Sequence, residues 1–138
     1  AEKHYAHNLK GMVVTQYGYA VKCQNIEVVE AGHPLPDSQG EKAALRILEN
    51  VRGLSPDDMI LCFISGGSSA LLALPSDGIS LRDKQRTSEL LIRSGATIHE
   101  INTVRKHLSK IKGGRLAKAC TPARLVTLLI SDVTDDDI

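Results

Sequence analysis

Met59-Ile60-Leu61-Cys62-Phe63-Ile64 carries no charged or amide side chain and runs straight into Ser65-Gly66-Gly67-Ser68-Ser69. A short apolar run that stops at glycines predicts a strand covered on both faces, as in a parallel sheet. An apolar stretch suited to a helix start follows at once. Residues 125–130 repeat the pattern and leave into Ser131-Asp132. This pair of runs is what most narrows the folds open to the chain.

The remaining elements alternate with these strands. Residues 11–15 and 26–30 read as short strands, rich in β-branched residues. Ala43, Ala44, Ile47, Leu48 and Val51 fall at helical spacing, which predicts a helix over 38–52 capped by Asp37 or Ser38 and closed by Gly53. A second helix is expected over 69–74, stopped by Pro75. A third runs from Ser80-Leu81-Arg82-Asp83 to about Ser94, and a fourth over 98–109, capped by Thr97 or Ser94. A short fifth is expected over 115–120. This order predicts an α/β, doubly wound fold with a largely parallel sheet and helices on both faces.

Composition removes several classes of function. The chain has 138 residues, 42% hydrophobic and 24% charged, as in an ordinary globular domain. A formal net charge of +1 argues against a large nucleic-acid surface, and 3% aromatic residues with no Trp leave little to stack bases on. Cys23, Cys62 and Cys120 are widely spaced and odd in number, so they form no disulfide framework, and a cytoplasmic location is expected. No apolar run approaches the roughly 20 residues that span a bilayer. No membrane or nucleic-acid partner is expected. Both ends read as cuts within a longer chain, and a partial domain is expected.

In open α/β sheets, ligands sit beyond the carboxyl ends of the strands. Three turns qualify: 32–37, 65–69 and 131–137. In the second, Ser65, Gly66, Gly67, Ser68 and Ser69 suit an anion, because glycine backbone approaches a ligand closely and unpaired amides point outward. The same residues also fit a tight turn with a serine cap. The segment is not a P-loop and lacks the G-x-G-x-x-G dinucleotide spacing. His33, between Gly32 and Pro34, suits an acid, a base, a ligand or a hydrogen bond that stiffens its loop. Asp132 and Asp136 stand where carboxylates hold Mg²⁺ beside phosphate oxygens, or where an acidic turn meets solvent. Asn102, Arg105, Lys106, Lys112 and Arg115, with the Gly113-Gly114 pair, form a polyanion site or a wet helix face. A Ser-His-Asp triad from Ser68 or Ser69, His33 and Asp132 ranks below the anion cradle, since the G-x-S-x-G elbow is missing.

Taken together, these stretches resemble the glycerate 2-kinase family, a class also labelled hydroxypyruvate reductase. The resemblance covers nearly the whole chain. Its pieces are Val28-Val29-Glu30-Ala31-Gly32-His33-Pro34 with Pro36-Asp37; Ile64-Ser65-Gly66-Gly67-Ser68-Ser69-Ala70-Leu71-Leu72; Asp83-Lys84-Gln85; and the run from Ser94 to Asn102. Val104-Arg105-Lys106-His107-Leu108-Ser109, Ile111-Lys112-Gly113-Gly114-Arg115-Leu116-Ala117 and Ser131-Asp132-Val133 complete it.

The resemblance implies a Rossmann-like amino-terminal domain and Mg²⁺-dependent transfer of phosphate from ATP to D-glycerate, giving 2-phosphoglycerate. It implies catalytic roles for Arg105 and Asp132. It implies substrate or phosphate contacts at His33, Ser65, Gly66, Gly67, Ser68, Ser69, Asn102, Lys106, Lys112, Gly113, Gly114 and Arg115. Asp132 and Asp136 would orient the metal. The family usually has a third glycine where Ser68 stands and Gly-Asp where Asp135-Asp136 stand. Its Gly-Lys-Ala segment and second domain are expected outside this chain, so the chain alone is expected to lack kinase activity. Rival readings are an NAD(P)H-dependent hydroxypyruvate reductase, a non-catalytic module for small anions and a damaged product that does not fold.

Overall fold

The structure, a computed structural model, describes residues 9–130. The fold is α/β with parallel strands. In chain order it runs β1 (Gly11–Gln16), β2 (Ile26–Ala31), α1 (Ser38–Asn50), β3 (Met59–Ile64), α2 (Ser68–Leu71), α3 (Leu81–Arg93), α4 (Ile98–His107), α5 (Arg115–Cys120) and β4 (Arg124–Leu129). β1 pairs with β2 in parallel, Gly11 opposite Ile26 through Gln16 opposite Ala31. β3 pairs with β4 in parallel, Met59 opposite Arg124 through Ile64 opposite Leu129. Among the described residues these are two separate two-stranded sheets.

Local chemistry sets the helix starts. Asp37 caps α1 by accepting from Gly40 N at 2.9 Å, and its other oxygen takes the Tyr17 hydroxyl at 2.6 Å. α3 and α4 each open on a reciprocal box: Ser80 with Asp83, and Thr97 with Glu100. Replacing Ser80 by alanine removes one half of its box. The expected cost is about 1 kcal/mol, read as a lower urea midpoint with an unchanged slope.

Besides α1, which ends at Asn50 rather than residue 52, two helices are shorter than their sequence patterns. α2 ends at Leu71 rather than residue 74, and α4 ends at His107 rather than residue 109. The same contact trims both. Pro75 and Ser109 form an antiparallel bridge, flanked by Lys110 N donating to Leu74 O at 2.9 Å and Ser76 N to Leu108 O at 3.1 Å. Pro75 also disfavours helical geometry at Leu74. The backbone groups freed from the helices are thus satisfied across the chain.

The core lies beneath this clamp. Ala44 and Leu48 of α1 meet Leu74 and Ile111, with Ile47, Leu72, Leu116 and Ala119 packed around them. Gly40 lets α1 come close to α2: a Cβ there would stand 2.7 Å from Leu71 O. The apolar run 59–64 does not find cover on both faces within the described residues. Met59, Leu61 and Phe63 of β3 and Val126 and Leu128 of β4 are exposed, with Ile60, Cys62 and Ile64 half-buried beneath. No described helix is long and apolar enough to cross a membrane.

Candidate functional site

Two of the three turns expected at the carboxyl ends of strands meet. β2 ends at Ala31 and leads into the turn 32–37; β3 ends at Ile64 and leads into Ser65-Gly66-Gly67. The His33 ring lies directly on Gly67, where a Cβ would stand 2.7 Å from Nε2. Gly67 also has φ +79°, a left-handed conformation that side chains disfavour. Glycine is therefore required there twice over. Gln85 of α3 joins the same corner, its Nε2 donating to Pro36 O at 2.6 Å.

Gly67, not a serine, is the N-cap of α2, and no side chain caps that helix. The serines are left for other partners. Ser69 Oγ accepts from Arg105 Nη2 at 3.1 Å and from Lys112 Nζ at 2.7 Å, while Ser69 O accepts from the same ammonium at 2.5 Å. Two cations from distant segments thus converge on the first turn after the glycine pair.

The chain between them explains how. α4 carries Arg105 in its last turn. The Pro75–Ser109 bridge then fixes the exit of α4 against the segment that follows α2. Fully buried Ser109 accepts from Ile111 N and Lys112 N at 3.3 and 3.2 Å, forming the turn that aims Lys112. Gly113 and Gly114 follow with φ of +61° and +80°. Arg115 Nη1 closes the turn by donating to Lys106 O at 2.8 Å and Lys112 O at 3.3 Å.

Lys112 is electrostatically unusual. Burial first, then the charges of Lys84 and Arg105, pull its pKa from 10.5 to about 7. At neutral pH its proton is therefore weakly held. An anion brought beside it would restore the charged form.

Lys84, which the sequence pattern did not single out as a site residue, belongs to this cluster. It sits on the inward face of α3, 6% exposed, and its Nζ has no hydrogen-bond partner among the described residues. Burial and Arg105 lower its pKa, and Glu41 of α1 works the other way.

The other expected residues fall at varying distances from this centre. Ser65 and Gly66 are exposed in the β3–α2 turn, and Ser68 is half-buried, its carbonyl accepting from Leu72 N at 2.9 Å. Asn102 is half-buried and Lys106 exposed on α4, and neither side chain bonds to Ser69. The Arg115 guanidinium is occupied by two carbonyls and lines an open depression of about 560 Å³ with Arg52, Asp77 and Lys118. Asp132 and Asp136 lie outside the described residues, as does the third turn.

The donor set suits anions. Two ammonium groups, a guanidinium and glycine backbone match phosphate or carboxylate oxygens. No group of three or more His, Cys, Asp or Glu among the described residues could hold a metal ion. The side chains gathered on Ser69 are cations, which do not ligate Mg²⁺.

The chain matches known proteins over most of its length. A family model described as "Domain of unknown function (DUF4147)" matches residues 1–138. A "putative hydroxypyruvate reductase" of Agrobacterium vitis is 55% identical over 130 residues, which is 94% of this chain and 30% of that protein. The "glycerate 2-kinase" of Pyrococcus horikoshii is 52% identical over 131 residues, 93% of this chain and 29% of the relative. The crystal structure of a glycerate kinase from Thermotoga maritima superposes with a TM-score of 0.89 at 48% identity, covering 92% of this chain and 31% of that one. The chain thus spans about a third of the length of the relatives it matches. It belongs to the DUF4147 family, that of the glycerate 2-kinases.

Proposed function

We propose that the protein carrying this chain transfers a phosphoryl group from ATP to D-glycerate, giving 2-phosphoglycerate. The observation that supports it most is the convergence of Arg105 and Lys112 on Ser69, two residues beyond the Gly67 cap. Phosphoryl transfer asks a protein mainly for positioning and charge neutralisation. The glycerate 2-hydroxyl oxygen bonds to the γ-phosphorus, the bond from that phosphorus to the bridging oxygen breaks, ADP leaves and the hydroxyl proton departs. Arg105 and Lys112 neutralise the charge that gathers on phosphate oxygens. His33, stacked on Gly67, keeps the glycine turn in place for the substrate.

Mg²⁺ would enter with ATP and rest on Asp132 and Asp136, in keeping with the family resemblance. A cytoplasmic location fits the absence of cysteine pairing among the described residues, where Cys23, Cys62 and Cys120 are free.

The name hydroxypyruvate reductase on two relatives keeps a second reading in view. The missing dinucleotide spacing counts against it. Two coupled assays on the purified protein separate them. ADP release with D-glycerate and ATP is expected, without NADH or NADPH oxidation by hydroxypyruvate. The reverse pattern rejects the kinase.

A further inference from the structure

A buried ammonium without a hydrogen bond is among the costliest arrangements a protein keeps. Among the described residues Lys84 Nζ is one, and other cations lie close enough to make it worse. Arg105 opposes its charge, and its charge in turn opposes that of Lys112. α3 packs against α4, so the three come from one corner of the fold: α3, α4 and the turn before α5. Among the described residues, only Glu41 of the groups acting on Lys84 carries the opposite sign. When all three cations are protonated, that one carboxylate leaves two positive charges uncompensated among the described residues.

We propose that Lys84 is an anion-binding residue, the innermost cation of a pocket that it forms with Arg105, Lys112 and Ser69 for a doubly charged phosphoryl group. The charge match selects the class of ligand. A dianion balances the corner, whereas the single carboxylate of a hydroxy acid leaves it positive. The ligand also supplies the hydrogen-bond acceptor that Lys84 lacks. This rests on the reading of Ser69, Arg105 and Lys112 as a phosphate-binding edge, and it adds a residue buried beneath that edge.

The test uses inorganic phosphate as the probe, with D-glycerate as the carboxylate control. Calorimetric titration and thermal melting are run on the wild-type protein, Lys84→Met and Lys84→Gln. Without phosphate, Lys84→Met is expected to melt above wild type, because an uncompensated charge has left the interior. With phosphate, its affinity should fall at least tenfold and most of the phosphate-induced melting shift should vanish. Lys84→Gln should follow the same direction. D-glycerate affinity should stay within twofold.

Phosphate affinity within twofold of wild type in both variants overturns the proposal. So does a wild-type protein that does not bind phosphate, a methionine variant that does not fold, or an equal loss of D-glycerate binding. The two readings fail separately. No turnover with D-glycerate and ATP, alongside Lys84-dependent phosphate affinity, rejects the kinase and leaves this pocket standing. Turnover with Lys84-independent phosphate binding does the opposite.

Discussion

Lys112→Met lowers turnover of D-glycerate with ATP by about 100- to 1,000-fold, the range seen when one preorganised charge-stabilising donor is removed, and it stabilises the ligand-free protein at pH 7. The two effects share a cause. The ammonium is held at Ser69 by two short hydrogen bonds, yet burial and the charges of Lys84 and Arg105 oppose its protonation. Its folded pKa of about 7 lies below the ordinary 10.5. Between those values the unfolded chain binds more protons than the folded one. Stability therefore climbs as pH rises through that window, and the full penalty applies below about pH 7. Methionine keeps most of the volume and removes the charge, so the climb should flatten. Urea unfolding of both proteins at pH 6.5, 8 and 9.5, without phosphate, measures it. A variant that is less stable at pH 7 and turns over normally would make Lys112 a structural tether to Ser69 and nothing more.

Gly40→Ala reverses the usual sign of a helix substitution. In an open helix, glycine to alanine gains about 1 kcal/mol. Here the new Cβ meets Leu71 O at 2.7 Å and the Ala31 Cβ at 3.4 Å, and the nearer atom is backbone. The expected outcome is a net loss of about 1–3 kcal/mol, as for overpacking elsewhere. The strain falls on Leu71, the last residue of α2, whose second residue is Ser69. Phosphoryl transfer depends steeply on placement, so kcat should fall and KM rise together. Gln39→Ala, exposed on the same helix, serves as the control and should change neither. Stabilisation by Gly40→Ala, seen as a higher denaturation midpoint, would mean that α1 and α2 are free to part.

What the sequence made legible was local. Asp37, Ser80 and Thr97 announce their helices because a capping side chain acts within three residues of itself. The strands were legible for a similar reason, as short β-rich runs bounded by turns. The ends of α2 and α4 were not, because Pro75 and Ser109 lie 34 positions apart and only the folded chain brings them to one bridge. The division of four strands into two pairs is likewise a matter of long-range register.

The candidate site follows the same rule. Gly67 and the basic cluster stood out by composition, but which cations reach Ser69 depends on the clamp. Arg115 looks as suitable as Lys112 on paper, yet its guanidinium holds carbonyls. Lys84 did carry a signal. Leu81, Lys84, Ser88 and Leu91 recur at helical spacing, and a lysine within that inward stripe breaks the pattern. Such breaks concentrate where function overrides packing.

Among the described residues, one side of the β3–β4 pair is left without cover. Met59, Leu61, Phe63, Val126 and Leu128 form an oily, uncharged ribbon there. Residues 59–64 lack any proline or charge, the composition of segments that stack into steric zippers. Wherever that ribbon meets water, concentration acts against the native state, since each molecule offers its neighbour a ready surface on which to stick.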